Sequence, residues 1–391
     1  MPKPLKIMLL IENSRAFGRN LLRGISQYVK LHGPWDIYRV PPFYRDPYGK
    51  DTALSLIHDW GADGLILREN QAFRDKIPNG IPTVISSESE EYVPGCGHIV
   101  GDHEGIGSMG AEHLLQLGFK NFAYCGFDDV YWSRVRCQGF CDTIERAGLS
   151  VNVYKQPRLP ASVLWEKEQQ YLVKWLETLP TPIGLMACAD ERSEQVLQAC
   201  NASGRKVPED IAIVGADDDE MICDLCFPTL SSIAFNTRKV GFEAARLLEL
   251  MIRSDPPEEH RKVVLRPTHV VVRQSTDVIA VDDPIVAGAL LFIRKNRDRQ
   301  LSVNMVVQNA AVSRRMLERK FQCAFGISIY RQIVKTRTER AEELLLETDF
   351  TLSQIVAKLD FTNHQQIDRY FRKHKDMTPT EFRKLARQDR R

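Results

Sequence analysis

The sequence contains no stretch of 18 uncharged apolar residues, so no membrane-spanning helix is expected. The apolar run before Glu12 is too short for a signal peptide, which points to a cytoplasmic protein. The nine cysteines are odd in number and scattered, the pattern of reduced thiols rather than of a disulfide frame. Catalytic signatures are missing too: there is no Gly-x-Ser-x-Gly elbow, no phosphate loop, no credible pair of catalytic acids and no metalloprotease spacing of histidines. Cys223 and Cys226 have the spacing of half a zinc site, but no second Cys or His pair lies near them. The four consecutive acids from Asp217 to Glu220 do not define a coordination sphere. No catalytic residue, metal, cofactor or membrane partner is therefore expected.

What is present is enough for two or three domains: 391 residues, 43% hydrophobic and 27% charged. The net charge of +2 hides an asymmetry. From residue 284 to the end there are 22 basic against 12 acidic residues, and before it 31 against 39. An acidic body with a basic C-terminal part suggests a polyanion partner for that end, the plainer alternative being a solvated basic surface.

The first 280 residues alternate short apolar runs with amphipathic stretches. The runs are Ile7–Ile11, Gly64–Leu67, Pro82–Ser86, His98–Gly101, Asn121–Gly126, Gly184–Ala189 and Ile211–Gly215. Helix-like segments near 17–31, 51–60, 105–117, 133–147, 162–178, 190–203 and 236–253 separate them, which predicts a parallel, doubly wound α/β fold in two similar lobes. A final strand pair, Val263–Leu265 and His269–Arg273, closes the region. Ligands in such folds sit beyond the carboxyl ends of the strands. That selects the loops Glu12–Phe17, Gly101–Gly105, Phe127–Arg136, Ala189–Arg192 and Ala216–Glu220, and with them Asn13, Phe17, Asp102, Trp132, Arg136 and Asp217 as candidate ligand residues. Amide and charged groups suit paired hydroxyls, and aromatic faces suit a sugar ring.

After the polar stretch 274–283 and Pro284, helical periodicity takes over. Ser302 is placed to cap a helix carrying Val303, Val306, Val307 and Ala310, and a second helix follows Ser313 with Leu317 and Phe321 inward. A longer helix has Tyr330, Ile333, Val334, Ala341, Leu344 and Leu345 as its apolar residues. Fifty residues on the pattern recurs: Leu317, Arg319 and Phe321 are matched by Ile367, Arg369 and Phe371, and Val306 by Val356. Two helix–turn–helix units joined by one long helix are expected, the plainer alternative being a generic five- to seven-helix bundle with accidental similarity. Their second helices offer Arg314, Arg315, Glu318 and Arg319, then His364, Gln365, Gln366 and Arg369, to bases, with Lys320 and Arg372 (and Lys373) for phosphates.

The string Ser313–Phe321, Gly326–Ser328, Arg337, Ala341, Leu344–Leu345, Leu352–Ala357, Phe361, Phe371 and Thr378–Arg383 resembles the AraC-type DNA-binding domain over about residues 285–385. Asp360 and Asp376 stand where that family usually has glycine, and Ile367 replaces a common aromatic. The body, over about 5–275, resembles the ligand-binding core of LacI-type repressors and periplasmic sugar-binding proteins, through Arg136–Phe140, Gly215–Asp218, Pro228–Ile233 and Gly241. Ala189 departs from it where an amide residue often sits, and no helix–turn–helix precedes Ile7.

These resemblances imply a two-lobed, periplasmic-binding-protein-like α/β body at 1–278, a linker at 279–284 and an all-α DNA-binding domain at 285–391. Arg136 and Asp217 would hold sugar hydroxyls, with Phe17 and Asp102 at the rim. The implied partners are a double-stranded DNA operator, xylose or a related monosaccharide, a second copy of the chain in a homodimer, and RNA polymerase. A sugar transport receptor and a carbohydrate-active α/β enzyme are the competing functions. The absent signal peptide and the basic C-terminal part speak against the first, the absent catalytic motifs against the second.

Overall fold

The computed structural model describes residues 4–39, 57, 59–68, 80–86, 92–157, 165–254, 261–278, 280–281, 283–348, 350–359, 361, 363–375 and 378–387. Its body is built from two six-stranded sheets, whose short central strands are largely apolar and buried under amphipathic helices. The first sheet has the order β11-β5-β4-β3-β1-β2, with β1 (Leu5–Leu10), β2 (Trp35–Tyr38), β3 (Gly64–Arg68), β4 (Thr83–Ser86), β5 (Gly97–Gly101) and β11 (Lys262–Leu265), all parallel. The second has the order β12-β10-β9-β8-β6-β7, with β6 (Phe122–Cys125), β7 (Val151–Val153), β8 (Ile183–Ala187), β9 (Ile211–Ala216), β10 (Ser231–Phe235) and β12 (Pro267–Val271). Only β12 in that sheet runs antiparallel, beside β10. The two runs read from sequence as a closing strand pair are thus split, β11 going to the first sheet and β12 to the second. Much of the expected helix at 51–60 lies outside the described residues.

The chain crosses between the lobes three times, after β5, after β10 and between β11 and β12. The crossings are laced together: Asp102 N donates to Leu265 O at 2.8 Å, Asn236 N to Arg266 O at 3.1 Å, and Arg266 N to Asn236 Oδ1 at 2.7 Å.

Helix α1 (Ala16–His32) and α7 (Thr237–Ser254) pack on the first sheet; α2 (His103–Gln116) and α3 (Tyr131–Arg146) pack on one face of the second. The α2–α3 crossing needs glycine, because a Cβ on Gly107 would stand 2.0 Å from the carbonyl oxygen of Arg136. Helices α4 (Trp165–Thr178) and α5 (Asp190–Ser203) cover the other face, and the short α6 (Glu220–Cys223) follows β9. Cys223 is buried there as an apolar filler.

The C-terminal domain consists of α8 (Pro284–Lys295), α9 (Val303–Ala310), α10 (Arg314–Phe325), α11 (Ile329–Glu347), α12 (Leu352–Lys358), α13 (His364–Lys375) and α14 (Pro379–Arg387). Ser302, Ser313, Ser328 and Thr351 cap four of these by accepting from the third helical residue, and Thr351 with Gln354 forms a full capping box. Leu317 and Phe321 are fully buried in one core, Ile367 and Phe371 in another. Tyr330, one of the apolar residues read on the long helix, is 63% exposed; α11 leaves that side to solvent while Ile329 and Ile333 fill the core. Asp360 and Asp376, expected at unusual turn positions, lie outside the described residues.

Candidate functional site

The cleft lies where the strands of both sheets end. Arg136, on α3, is 4% exposed. Its Nη1 donates to Cys188 O at 2.5 Å, and its Nη2 is 3.5 Å from Asp217 Oδ1. The guanidinium lies 4.7 Å over the Trp132 ring and 5.1 Å over the Phe235 ring, and Nε has no acceptor among the described residues. Asp217 sits at φ +106° and Asp218 at φ +49°, so two non-glycine residues in succession are held in a left-handed backbone. Such positions cost on the order of 1–3 kcal/mol each and gather at ligand sites.

Burial raises Asp217 to about 6, against the opposing pull of Arg136; Glu191 raises it further, while Arg68 and Arg15 oppose. Behind it Asp190 is fully buried and pushed far up by desolvation and by Asp217, although it accepts from Ser232 Oγ at 2.6 Å and from Asp219 N at 2.7 Å. His103 is pushed down to about 3 by burial and then by the charge of Arg136, so a neutral imidazole borders the site.

The opposite lobe supplies cations. Arg68, at the end of β3, lies 5.5 Å over the Phe17 ring. Arg15 Nε is 2.7 Å from Glu191 Oε1, and Arg19 Nη2 is 2.5 Å from Asp219 Oδ1, whose partner oxygen accepts from Ala16 N at 2.7 Å. The contacts of Arg15, Arg19 and Ala16 join the two lobes. The run Asp217–Glu220 is accordingly divided among different partners, with Asp218 paired to Arg273 at 2.9 Å, and among the described residues no group of three or more His, Cys, Asp or Glu is placed to hold a metal ion.

Of the ligand residues read from sequence, Trp132, Arg136 and Asp217 meet at one point, and Phe17 stands with Arg68 on the other lobe. Asn13 is exposed on the loop before α1, and the carboxylate of Asp102 is spent on capping α2, accepting from Gly105 N at 3.0 Å. Sequence reasoning passed over Arg68 and Phe235 and took Asp219 only as one of a run of acids. The first closes a strand, which was a usable signal. The other two acquire their meaning only from contacts across the fold.

On the C-terminal domain, Arg315 and Arg319 are exposed on α10, and Arg314 pairs with Glu318 at 2.9 Å. His364, Gln365, Gln366, Arg369 and Arg372 are exposed on α13, opposite Ile367 and Phe371. Lys320 is not held out to solvent: its ammonium contacts Asp283, the residue capping α8. Arg337 is buried beneath the second unit, donating to Leu359 O with its guanidinium 4.1 Å over the Phe361 ring.

Residues 111–276 match the periplasmic binding protein-like domain, and residues 306–385 match a helix-turn-helix domain. The chain is 30% identical to the xylose operon regulatory protein of Haemophilus influenzae, over 97% of this chain and 98% of that one. It belongs to the family of xylose operon regulatory proteins. The Escherichia coli member is 28% identical over 97% of this chain and 96% of its own length. A solved structure of a xylose-binding transcription activator aligns over 98% of this chain and 99% of that one, at TM-score 0.61 and 26% identity. A ribose-bound LacI family regulator from Enterococcus faecium, at 20% identity and TM-score 0.54 over 71% of this chain and all of that one, shares the fold of the body. The chain is thus a DNA-binding transcription regulator with an N-terminal sensing domain and a C-terminal AraC-type helix–turn–helix domain. Among the described residues no helix is long and apolar enough to cross a membrane.

Proposed function

We propose that the cleft binds a pentose, xylose or a close relative, and that its occupancy sets how the C-terminal domain meets a double-stranded operator. The observation that carries this reading is the Arg136–Asp217 pair packed under Trp132 and Phe235. Asp217 accepts from sugar hydroxyls and Arg136 donates to neighbouring ones, while aromatic faces cover the C–H side of the ring. Sugar hydroxyls on the Asp217 carboxylate replace the water that burial removed, so binding favours the ionised form that burial disfavours. The sugar is bound and released without being turned over.

Arg15, Arg19 and Arg68 on one lobe face Glu191, Asp219 and Asp217 on the other. A sugar touching both lobes favours the closed form, by no more than its differential affinity for closed over open. Residues 1–278 carry this sensing, 279–284 link, and 285–391 read DNA. Arg315, Glu318 and Arg319 on α10, with Arg314 beside them, and His364, Gln365, Gln366 and Arg369 on α13 face bases, while Arg372 faces phosphate. Lys320 reaches a phosphate only by leaving Asp283. Two chains occupy the operator as a homodimer in the cytoplasm and meet RNA polymerase there.

A thermal-shift screen of pentoses and hexoses on the full chain tests the reading. A ligand bound only by the folded state adds ~2.7 kcal/mol at a hundred times its Kd. Xylose should raise the melting temperature of the native chain and leave Arg136→Ala unshifted. An equal shift in Arg136→Ala removes this site.

A further inference from the structure

The segment between the body and the DNA-binding domain is seated on the body rather than strung between two parts. Thr276 is fully buried, with its Oγ1 3.0 Å from His113 Nε2 and 2.7 Å from Ser231 Oγ. Ala280 N donates to Leu117 O at 2.9 Å, just past the C-terminal end of α2. Val278 and Ala280 pack against the core of the second lobe, and Val281 packs against the core of the first helix–turn–helix unit. The seat demands glycine at 118: its φ is +89°, and a Cβ there would lie 2.6 Å from Val281 Cγ2 and 3.0 Å from Ala280 O.

The segment then takes hold of the recognition helix. One oxygen of Asp283 caps α8, accepting from Ile285 N at 3.0 Å and Val286 N at 3.4 Å. The other receives the ammonium of Lys320, on the same helix as Arg315 and Arg319. Arg294 of α8 faces Asp277 from the linker side and Glu339 from α11. At its other end α2 begins at the cleft: Asp102 caps it, His103 feels the charge of Arg136, and Gly107 rests against the backbone of Arg136. A helix of 14 residues is a rod of about 21 Å, long enough to join the two places without slack.

We infer that α2 and the linker seated on its C-terminal end carry the state of the sugar cleft to the first recognition helix, with Asp283 as the positioning residue that sets the attitude of α10. The inference rests on the cleft being the sugar site. A movement of Arg136 on sugar binding displaces α2 through the glycine crossing, α2 displaces Val278, Ala280 and Val281, and Asp283 transmits the displacement to Lys320. The first unit therefore answers the sugar directly, and the second follows through α11.

The experiment uses the full chain and three numbers for each variant: xylose affinity without DNA, operator affinity without xylose, and the fold-change in operator affinity on adding saturating xylose. Asp283→Asn keeps an acceptor for the α8 cap but removes the charge that holds Lys320. Val281→Ala loosens the apolar seat and leaves every charge in place. Each should leave xylose affinity within twofold of native and cut the sugar-induced fold-change at least threefold. A purely structural role would lower melting temperature without this selective loss. Full sugar responses in both variants overturn the inference while the cleft reading stands. A native chain that does not bind sugar overturns the cleft reading and the inference with it.

Discussion

Leu317 and Phe321 in the first helix–turn–helix unit occupy the same fully buried places as Ile367 and Phe371 in the second, and the two units differ in what surrounds that shared interior. The first is covered by α8 and its core takes in Val281 of the linker, while its recognition helix is held by Asp283. The second is closed by α14, whose Phe382 ring meets Phe371 edge-on at 5.3 Å, and by Arg337 beneath its turn. One repeat has thus kept its interior and acquired two different borders: one faces the sensor, and the other, among the described residues, faces its own domain. The border decides what a unit can report. On the coupling proposed above, the recognition helix joined to the cleft by these contacts is reoriented by the sugar, and the other moves with its own domain.

The largest effects expected are those that break the shared interior. Phe321→Ala and Phe371→Ala should each destabilise the C-terminal domain by about 3–5 kcal/mol, as is usual for a buried phenylalanine. They should differ in reach: Phe321→Ala should also weaken the sugar response of whatever folded protein remains, and Phe371→Ala should spare it. Thermal melts with and without xylose, followed by operator titrations below the melting point, separate the two. Equal loss of sugar response would place both units behind the same border.

Next in size is the reading of bases. Arg319→Ala should cost ~1–3 kcal/mol of discrimination at one base pair, more than Arg369→Ala, since α10 is the more firmly held helix. Binding to a panel of operator variants at one salt concentration checks this, because phosphate contacts make affinity salt-dependent. Greater loss for Arg369→Ala would reverse the ranking. A footprint of one major groove per chain, rather than two about one turn (~34 Å) apart, would remove the second reader altogether.

Acid should produce a smaller, graded effect on the sensor's side of the comparison. Burial holds both His103, beside the cleft, and His113, under the linker, near 3. Both are neutral in the folded chain, so their contribution is complete above the ordinary value of about 6.5 and is lost as pH falls towards 3, where the unfolded chain takes up protons that the folded one refuses. Asp217 works in the other direction. Its raised value of about 6 means that the folded chain loses stability as pH rises through 6, and that xylose affinity should weaken below it as the carboxylate is protonated. Melting temperatures and xylose titrations between pH 5 and 8 distinguish the two: a cleft in which sugar affinity does not change across pH 6 would take Asp217 out of the binding step.

Much of this arrangement was legible before any coordinates. Apolar runs such as Ile211–Gly215 fall on buried parallel strands because both faces of those sheets are covered, and the fifty-residue recurrence fixed the two units because burial repeats with it. Strands β2 and β7 escaped because they are short edge strands with half-exposed patterns. Strand β10 escaped because its buried Ser231 and Ser232 read as polar; hydrogen bonds to Arg273 O, Thr276 and Asp190 are what let them be buried. At the cleft, Arg136 and Asp217 were marked by motif and strand-end position. Asp219 and Arg19 find each other across 200 residues of chain, a relation that no local pattern encodes. Lys320 looked like a phosphate ligand because a basic residue on a recognition helix usually is one, and its partner Asp283 lies 37 residues earlier in the chain.

The central claim is that a sugar held by Arg136 and Asp217 changes how the C-terminal domain binds DNA. Operator affinity of the full chain at one fixed salt concentration, with and without saturating xylose, for the native protein and for Asp217→Asn, tests it most directly. The account predicts a native change of about tenfold, within the usual range of coupling between sites, and less than twofold in Asp217→Asn with sugar-free DNA affinity unaltered. A native affinity indifferent to xylose, or a full response in Asp217→Asn, would contradict it.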